Sequence, residues 1–377
     1  MKKVGYLGPR GTFTEAAARK YRGNDRVELV CRHSLPEIVA AVKSGQLDEA
    51  VVPLENSTEG AVNQVLDLVA QVPGIMFCGE VIMNIHHNLL VRPGTEKSRI
   101  SRVLSHPQAL AQCREYLARE LPGRETEETA STARAAAIVA ASREPWAAIG
   151  TRLAAGNYGL EVLAEGIQDC AENATRFIVL GRNDADCSPR CRTSLIVAVK
   201  DRPGALYVVL REFALRDINL TRIESRPVKK RLGQYLFFMD LEGHRSEAAV
   251  SGAIEAIAGK AAWLKILGSY PRDNAAACQE PAGAGEKNNT IGELRAEIDM
   301  VDRQIVELIG MRTRLVGKIG QLKSGPAGVR DRAREEEVVR RVRAHAAAKG
   351  ADPDMIEGIY RYMISHYVEM QEEGFRM

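Results

Sequence analysis

The sequence has no run of apolar residues long enough to cross a lipid bilayer, and it has little excess charge. Its 52 Lys and Arg residues face 49 Asp and Glu residues, giving a formal net charge of +3. This balance gives no reason to expect nucleic acid or a membrane as a partner. The first strand runs into Gly8 and Pro9 with no apolar signal segment, so a cytoplasmic location is expected.

Cysteine patterns that bind metals are also missing. Seven Cys is an odd number, no two form a CxxC motif, and Cys187 and Cys191 have no second ligand pair nearby. Reduced thiols without structural zinc are therefore predicted. The adjacent rings of His86 and His87 point in different directions, so a polar contact at a strand end is expected rather than a metal pair.

Nucleotide-binding and serine-hydrolase motifs do not occur. The loop at Gly8–Gly11 lacks the Gly-Lys-Ser/Thr of a phosphate-binding loop and the spacing of a dinucleotide fingerprint. There is no serine-nucleophile elbow and no His/Asp set at a recognisable spacing. No metal or cofactor is predicted.

Two stretches without hydrophobic periodicity, residues 183–193 and 273–290, are typical of linkers. A length of 377 residues is enough for two or three domains. The linkers divide the chain into predicted domains of residues 1–182, 194–272 and 290–377.

Short apolar strands alternate with helical patterns in residues 1–182, which predicts an α/β domain with a mainly parallel sheet. Ligands of such sheets bind beyond the carboxyl ends of the strands. Hydroxyls, amides and free backbone N–H groups cluster at those points, in Gly8–Thr14, Pro53–Gly60, Ser105–Gln108 and Thr129–Thr132. A site for a small anion is predicted, although Ser and Thr here are also common helix caps.

Four segments of this domain together resemble prephenate dehydratases: Gly8–Thr12, Pro53–Ser57, Ser105–Gln108 and Asn173–Phe177. The resemblance implies two lobes, like type II periplasmic binding proteins, with the site in the cleft. The functional residues it implies are Asn56, Ser105, Gln112, Thr175 and Arg176.

In this family, prephenate loses carbon dioxide and water. Thr175 would donate the proton, or hold the donor, that lets the ring hydroxyl leave, and Arg176 would hold a substrate carboxylate. Because the product is aromatic, the enzyme need only orient the substrate and assist the leaving group. One alternative is that Thr175–Phe177 is a half-buried strand with a salt bridge. Another is that the domain is a non-catalytic, amino-acid-sensing solute-binding module.

The middle domain has the element order βαββαβ, which is ferredoxin-like. Its segments Asp201–Leu206 and Glu224–Pro227 resemble the ACT domain of prephenate dehydratases, which binds phenylalanine at a subunit interface and inhibits the enzyme. The regulatory site implied comprises Gly204, Ala205, Leu206, Asn219, Leu220, Glu224 and Ser225, with Gly204 letting the backbone approach the ligand. The alternative is a dimerisation module that binds nothing.

Apolar residues from Ile291 to Leu322 recur at spacings of three and four, the seam of a helix packed along its length. Arg312 occupies one seam position. An unpaired buried charge is very costly, so Arg312 is expected to face an anion or a polar pocket. Lys323 lies about three turns further on, whereas Arg295 is about 25 Å away and would reach the pocket only from a second chain. The alternative is a register-setting residue of a coiled coil.

Residues 290–377 resemble the all-helical, AroQ-type chorismate mutases, with three helices. The site implied comprises Arg295, Arg312, Lys323, Asp331, Arg334, Glu335 and Gln371. Cations would clamp two carboxylates, and Lys323 with Gln371 would stabilise charge on the ether oxygen. Four positions before Gln371 the family usually has a small hydroxyl residue, and Tyr367 stands there instead.

Together the resemblances imply a bifunctional enzyme of phenylalanine synthesis, a homodimer or homotetramer. Its substrates would be chorismate and prephenate, with phenylalanine as effector. The mutase usually comes first in such fusions, and here it comes last. The alternative is a monofunctional prephenate dehydratase whose helical domain only dimerises.

Overall fold

The computed structural model describes residues 1–170, 172–186, 190–228, 235–273, 291–322 and 330–374. The chain divides into two compact units, residues 1–281 and residues 282–377. Among the described residues, no helix combines the length and the apolar composition that crossing a membrane requires.

The first lobe of the first unit is a six-stranded sheet with helices packed on it. Its elements are β1 (Lys2–Leu7), α1 (Phe13–Arg22), β2 (Val27–Arg32), α2 (Leu35–Lys43), β3 (Glu49–Asn56), β4 (Gly60–Ala61), α3 (Asn63–Gln71), β5 (Met76–Asn84) and β11 (Ala174–Gly181). The strand order is β2-β1-β3-β11-β5, with β4 paired to β3. Strands β1, β2 and β3 are parallel, and β11 runs antiparallel to β3 and β5.

The second lobe is a five-stranded sheet inserted between β5 and β11. Its elements are β6 (Asn88–Val91), β7 (Arg102–Ser105), α4 (Pro107–Gln112), α5 (Arg114–Glu120), β8 (Glu125–Glu128), α6 (Thr132–Ala141), β9 (Trp146–Gly150), α7 (Arg152–Tyr158) and β10 (Glu161–Ala164). The order is β10-β6-β9-β7-β8. The two-lobed α/β fold is confirmed, but the sheets are mixed rather than mainly parallel. The strand that returns the chain to the first lobe, β11, has to run against its neighbours.

The middle domain is a four-stranded antiparallel sheet with two helices on one face, as its βαββαβ pattern predicts. Its elements are β12 (Cys191–Ala198), α8 (Ala205–Ala214), β13 (Leu220–Pro227), β14 (Tyr235–Glu242), α9 (Ala248–Ala258) and β15 (Trp263–Pro271), in the order β13-β14-β12-β15. The other face buries Phe238 and Tyr270 in the apolar core of the first lobe, beside Phe77. One continuous core therefore joins this domain to the first lobe.

The second unit consists of α10 (Ile291–Gln321), α11 (Arg332–Ala348) and α12 (Pro353–Gly374), which confirms the three-helix domain. Ion pairs join α11 to α12, from Arg343 to Asp354 at 2.7 Å and from Arg361 to Glu336 at 3.0 Å. Within the part of the chain that the structure describes, the apolar seam of α10 is left exposed. Its nine apolar residues, from Ile291 to Leu322, are 44–86% exposed.

We expect Gly268→Ala to destabilise the first unit. Gly268 has a φ of 149°, and a Cβ there would lie 2.2 Å from the carbonyl oxygen and 2.9 Å from the nitrogen of Phe77 in β5. Backbone atoms cannot move aside cheaply, so the free energy of unfolding should fall by about 1–3 kcal/mol, measured by urea denaturation. Gly259→Ala is the control, since a Cβ at Gly259 would lie 3.9 Å from its nearest neighbour, the carbonyl oxygen of Ala256. Equal losses in both variants would contradict this packing.

Candidate active site

An open cavity of about 760 Å³ lies between the two lobes, where strands β1, β3 and β7 end. The first lobe contributes Thr12, Asn56 and Thr175 to its wall, and the second contributes Gln112 and Ser131. The described residues that line it include neither Lys nor Arg. Its polar lining consists of amides, hydroxyls, two His rings and the carboxylate of Glu59.

Three helices of eight residues or more, α1, α3 and α6, begin at the cavity wall, and two of them have a side-chain cap there. Thr12 caps α1 by accepting a hydrogen bond from the backbone N–H of Glu15, and Ser131 caps α6 by accepting one from Arg134. Both cap residues line the cavity. The N-terminus of a helix carries partial positive charge and free N–H groups, so these two ends favour an anion between them.

Four side chains in the cleft form a closed ring of hydrogen bonds. Asn56 Nδ2 donates to Asn173 Oδ1 at 2.9 Å, and Asn173 Nδ2 donates to Gln112 Oε1 at 3.0 Å. Gln112 Nε2 donates to Thr58 Oγ1 at 3.1 Å, and Thr58 Oγ1 donates to Asn56 Oδ1 at 2.6 Å. Gln112 belongs to the second lobe and the other three to the first. The ring therefore fixes every amide orientation and ties the lobes together.

Thr175 is attached to this ring through Asn56. Asn56 Nδ2 donates to Thr175 Oγ1 at 2.8 Å, and Asn56 Oδ1 also accepts from the backbone N–H groups of Thr58 and Glu59. The amide cannot flip without losing these bonds. Thr175 Oγ1 thus accepts a hydrogen bond, and its own O–H, which has no acceptor among the described residues, can donate into the cavity.

His87 is a cavity residue that the sequence interpretation missed. Its Nε2 lies 2.9 Å from Gln112 Oε1, which is an acceptor, so Nε2 carries the proton and Nδ1 is left with a lone pair. Nδ1 is buried and has no hydrogen-bond partner among the described residues. Burial lowers the pKa of His87, which keeps the ring neutral. Nothing in the sequence distinguishes His87 from the adjacent His86.

Ser105 does not line the cavity, although the sequence placed it in the site. It is 0% exposed, and its hydroxyl donates to the carbonyl oxygen of Ile149 at 2.8 Å, which fixes β7 against β9. The geometry therefore supports a structural role beneath the cavity wall.

Arg176 also lies away from the cavity, which corrects its expected contact with a substrate carboxylate. Successive side chains of a strand point to opposite faces. Thr175 and Phe177 line the cavity, so Arg176 points to the other side of β11. The structure brings Asn56, Gln112 and Thr175 together, and it excludes Ser105 and Arg176 from the wall.

The guanidinium of Arg176 is buried between the first lobe and the middle domain. Its Nε donates to Glu80 at 2.8 Å, Nη1 to Asp240 at 2.6 Å and Nη2 to the hydroxyl of Tyr270 at 2.8 Å. Burial alone would raise the pKa of Asp240, but Arg176 and Arg222 outweigh it and lower that pKa. The ion pair between the two domains is therefore charged.

In the second unit, Arg312 packs against two aromatic rings. Its Cζ lies 4.8 Å from the ring centre of Tyr367 and 5.6 Å from that of Tyr360. Tyr367 is only 5% exposed, and its hydroxyl is hydrogen-bonded to Thr313 at 2.9 Å. The large residue at this position thus holds the Arg312 guanidinium by cation–π contact. Arg312 Nη1 is buried without a hydrogen-bond partner among the described residues.

The other predicted mutase residues are spread over the three helices. Gln371 donates to the carbonyl oxygen of Val316 on α10, one turn beyond Arg312. Asp331 caps α11 by accepting from the N–H of Arg334, and Glu335 follows in the same turn. Arg295 is exposed on α10. Lys323 lies outside the described residues.

The predicted regulatory residues do not meet within one chain. Strands β12 and β13 are both antiparallel to β14, so they run in the same direction. Ala198 and Arg226 pair with the same residue of β14, and the Gly204 loop follows β12 at that end. Asn219 and Leu220 lie at the opposite end of β13. Gly204 has a φ of 77° and is the N-cap of α8, which begins with Ala205 and Leu206. Glu224 and Ser225 lie inside β13.

Comparison with known proteins assigns the chain to a family. The family model "Prephenate dehydratase" matches residues 4–185. A bifunctional chorismate mutase/prephenate dehydratase of Neisseria gonorrhoeae is 43% identical over 269 residues, which cover 71% of this chain and 74% of that protein. A prephenate dehydratase of Methanocaldococcus jannaschii is 40% identical over 72% of this chain and 98% of that protein. This chain belongs to the prephenate dehydratase family.

Two further family models match other parts of this chain. An ACT domain matches residues 193–259, and "Chorismate mutase type II" matches residues 294–372. The solved structure of a prephenate dehydratase of Arthrobacter aurescens, in complex with L-Phe, is 34% identical with a TM-score of 0.68 and covers 80% of this chain and 99% of that one. The recognised order of dehydratase, ACT and mutase domains is therefore confirmed, with the mutase last.

The protonation state of His87 can be measured directly. Burial lowers the pKa of His87 below 6.5, the ordinary pKa of an exposed imidazole. The chemical shift of its Hε1 proton should therefore titrate below pH 6.5, and at pH 7 the ring should be neutral. NMR titration between pH 8 and pH 4 measures this, with the resonance assigned by its loss in His87→Gln. A midpoint at or above 6.5 would show that His87 is not buried as described.

Proposed function

We propose that the cleft of the first unit converts prephenate to phenylpyruvate, water and carbon dioxide. The second unit converts chorismate to prephenate, and phenylalanine inhibits the dehydratase through the ACT domain. One observation carries the dehydratase assignment. Thr175 accepts a hydrogen bond from a fixed amide and keeps its own O–H for a ligand in the cavity.

Thr175 assists the departure of the ring hydroxyl of prephenate. A hydrogen bond donated to that oxygen stabilises the charge that develops as the C–O bond breaks. Because Asn56 donates to Thr175 Oγ1, the polarised hydroxyl is a better donor. The electrons released by loss of carbon dioxide complete the aromatic ring, so no nucleophile is required.

The carboxylates of prephenate are held by neutral groups. With no Lys or Arg on the described cavity wall, the free N–H groups at the starts of α1 and α6 and the hydroxyl of Ser131 supply donors, while the Thr12 hydroxyl already donates to the carbonyl oxygen of Leu7. His87 supports this arrangement by orienting Gln112, whose amide closes the hydrogen-bond ring.

The mutase site is shared between two chains. The exposed apolar seam runs along the whole of α10, and a second copy of the same helix would be long enough to cover it. This supports a homodimer. Antiparallel pairing would bring Arg295 of one chain to Arg312 of the other, where both can clamp substrate carboxylates. Lys323, Asp331, Arg334, Glu335 and Gln371 would complete the pocket.

The phenylalanine site is also shared between two chains. Gly204 and Asn219 lie at opposite ends of the β13 edge of the ACT sheet, so a second ACT domain is needed to bring these two groups together. Glu224 and Ser225 lie on the same exposed edge strand. Cys31, Cys78, Cys113 and Cys170 are free thiols, which supports a cytoplasmic location.

Thr175→Ala should lower dehydratase turnover by roughly 10²–10⁴, the usual contribution of a positioned acid. Thr175→Ser is the matched control and should keep most of the activity, since it retains the hydroxyl. Mutase activity, in the other unit, should not change. Turnover of prephenate is followed by the absorbance of phenylpyruvate. An active Thr175→Ala enzyme would remove Thr175 from the mechanism.

Mixing two inactive variants tests the shared mutase site. Arg295→Ala and Arg312→Ala should each be nearly inactive as mutases, because each damages every pocket. After subunit exchange, half of the dimers are mixed, and each mixed dimer has one intact pocket. About a quarter of wild-type mutase activity should therefore return. If the mixture stays inactive while mass spectrometry confirms exchange, Arg295 does not act across the dimer.

A further inference from the structure

The two residues that form the key hydrogen bond in the cleft each have a neighbour that is ion-paired to the ACT domain. Arg176, next to Thr175 in β11, donates to Asp240 at 2.6 Å. Glu55, next to Asn56 in β3, lies 3.4 Å from Arg222 Nε in β13. Since a strand presents alternate side chains to opposite faces, β3 and β11 each touch the cavity and the ACT sheet at once.

The contact at Arg176 is rigid. Asp240 accepts from Arg176 through Oδ2 and from the hydroxyl of Ser194 through Oδ1 at 2.5 Å. Glu80 accepts from both Arg176 and Arg192. These groups are all buried, so a change here would leave a charge unpaired in the core. The network therefore keeps β11 fixed on the ACT sheet.

The contact at Arg222 is looser. Glu55 is more than a third exposed, and Arg222 Nη2 is buried without a hydrogen-bond partner among the described residues. Glu55 also lies 3.8 Å from Arg176 Nη1, so its carboxylate faces both the buried network and Arg222 of β13. On the same strand, Arg226 pairs with Asp67 at 3.0 Å and with Asn63, a residue of the cavity wall.

We propose that Asp240 and Arg222 of the ACT domain are positioning residues for the dehydratase reaction. Asp240 fixes the strand of Thr175. Arg222 holds the strand of Asn56 through Glu55, and phenylalanine bound at β13 releases that hold, so that Asn56 no longer orients the Thr175 hydroxyl. The inference rests on the proposed function, which supplies the reaction and the effector.

Glu55→Gln is the decisive variant, because it is isosteric and lies in the first lobe, outside the phenylalanine site. It should resemble the inhibited enzyme. We expect kcat for prephenate to fall about tenfold with KM within about twofold, and saturating phenylalanine to lower turnover by less than about twofold further. By linkage, phenylalanine should bind at least as tightly as to the wild type, measured by calorimetry on the full chain.

Arg222→Gln and the double variant complete a mutant cycle. If the Glu55–Arg222 pair carries the effect, the double variant should lose no more kcat than either single variant. Arg222→Lys, which keeps a charge within reach of Glu55, should recover part of the loss. Arg216→Gln is the control, since its partner Glu212 lies with it in the ACT domain at 2.8 Å. It should keep wild-type kcat and inhibition.

Wild-type kcat, wild-type inhibition or loss of phenylalanine binding in Glu55→Gln would each overturn the proposal. Additive losses in the double variant would also overturn it, because they would separate the two residues. Circular dichroism and urea denaturation of the same samples report on the integrity of the first unit. A wild-type protein without dehydratase activity would instead refute the proposed function, so the two failures are distinguishable.

Discussion

The buried guanidinium of Arg176 is the interaction on which the first unit depends. It lies between Glu80 of one domain and Asp240 of the other, with Tyr270 as a third acceptor. A charge buried in this way is tolerated only when its donors are satisfied, so the two domains cannot shift against each other without breaking its hydrogen bonds to Asp240 and Tyr270. The two domains also share an apolar core around Phe77, which adds buried area to their contact. The ion pairs fix how the two domains are aligned.

The fold was largely predictable, because it follows from periodicity and from the resemblance of its motifs. The alternation of strands and helices predicted the lobes, and the βαββαβ order predicted the ACT sheet. The mixed sheets were missed. Hydrophobic pattern shows that a strand exists but not its direction, and the direction of β11 depends on where the chain returns after the second lobe.

The site was predictable in part. Asn56, Gln112 and Thr175 meet in the cleft, but assigning Arg176 to the same cavity ignored the two-residue period of a strand. The alternative interpretation, a half-buried strand with a salt bridge, describes Arg176 well, while the catalytic interpretation suits Thr175. Both hold because they concern opposite faces of β11. The roles of Asn173 and His87 could not be predicted, since they arise from contacts between residues up to 117 positions apart.

The cavity wall has a consequence for turnover. Prephenate carries two carboxylates, and phenylpyruvate carries one. Helix ends and hydroxyls bind an anion through several weak, directional contacts, and each lost carboxylate removes a whole group of them. A site with a strong cation would continue to bind the remaining carboxylate tightly. In the proposed binding mode, by contrast, the loss of one carboxylate would weaken binding, and the same neutral groups that hold the substrate would favour release of the product.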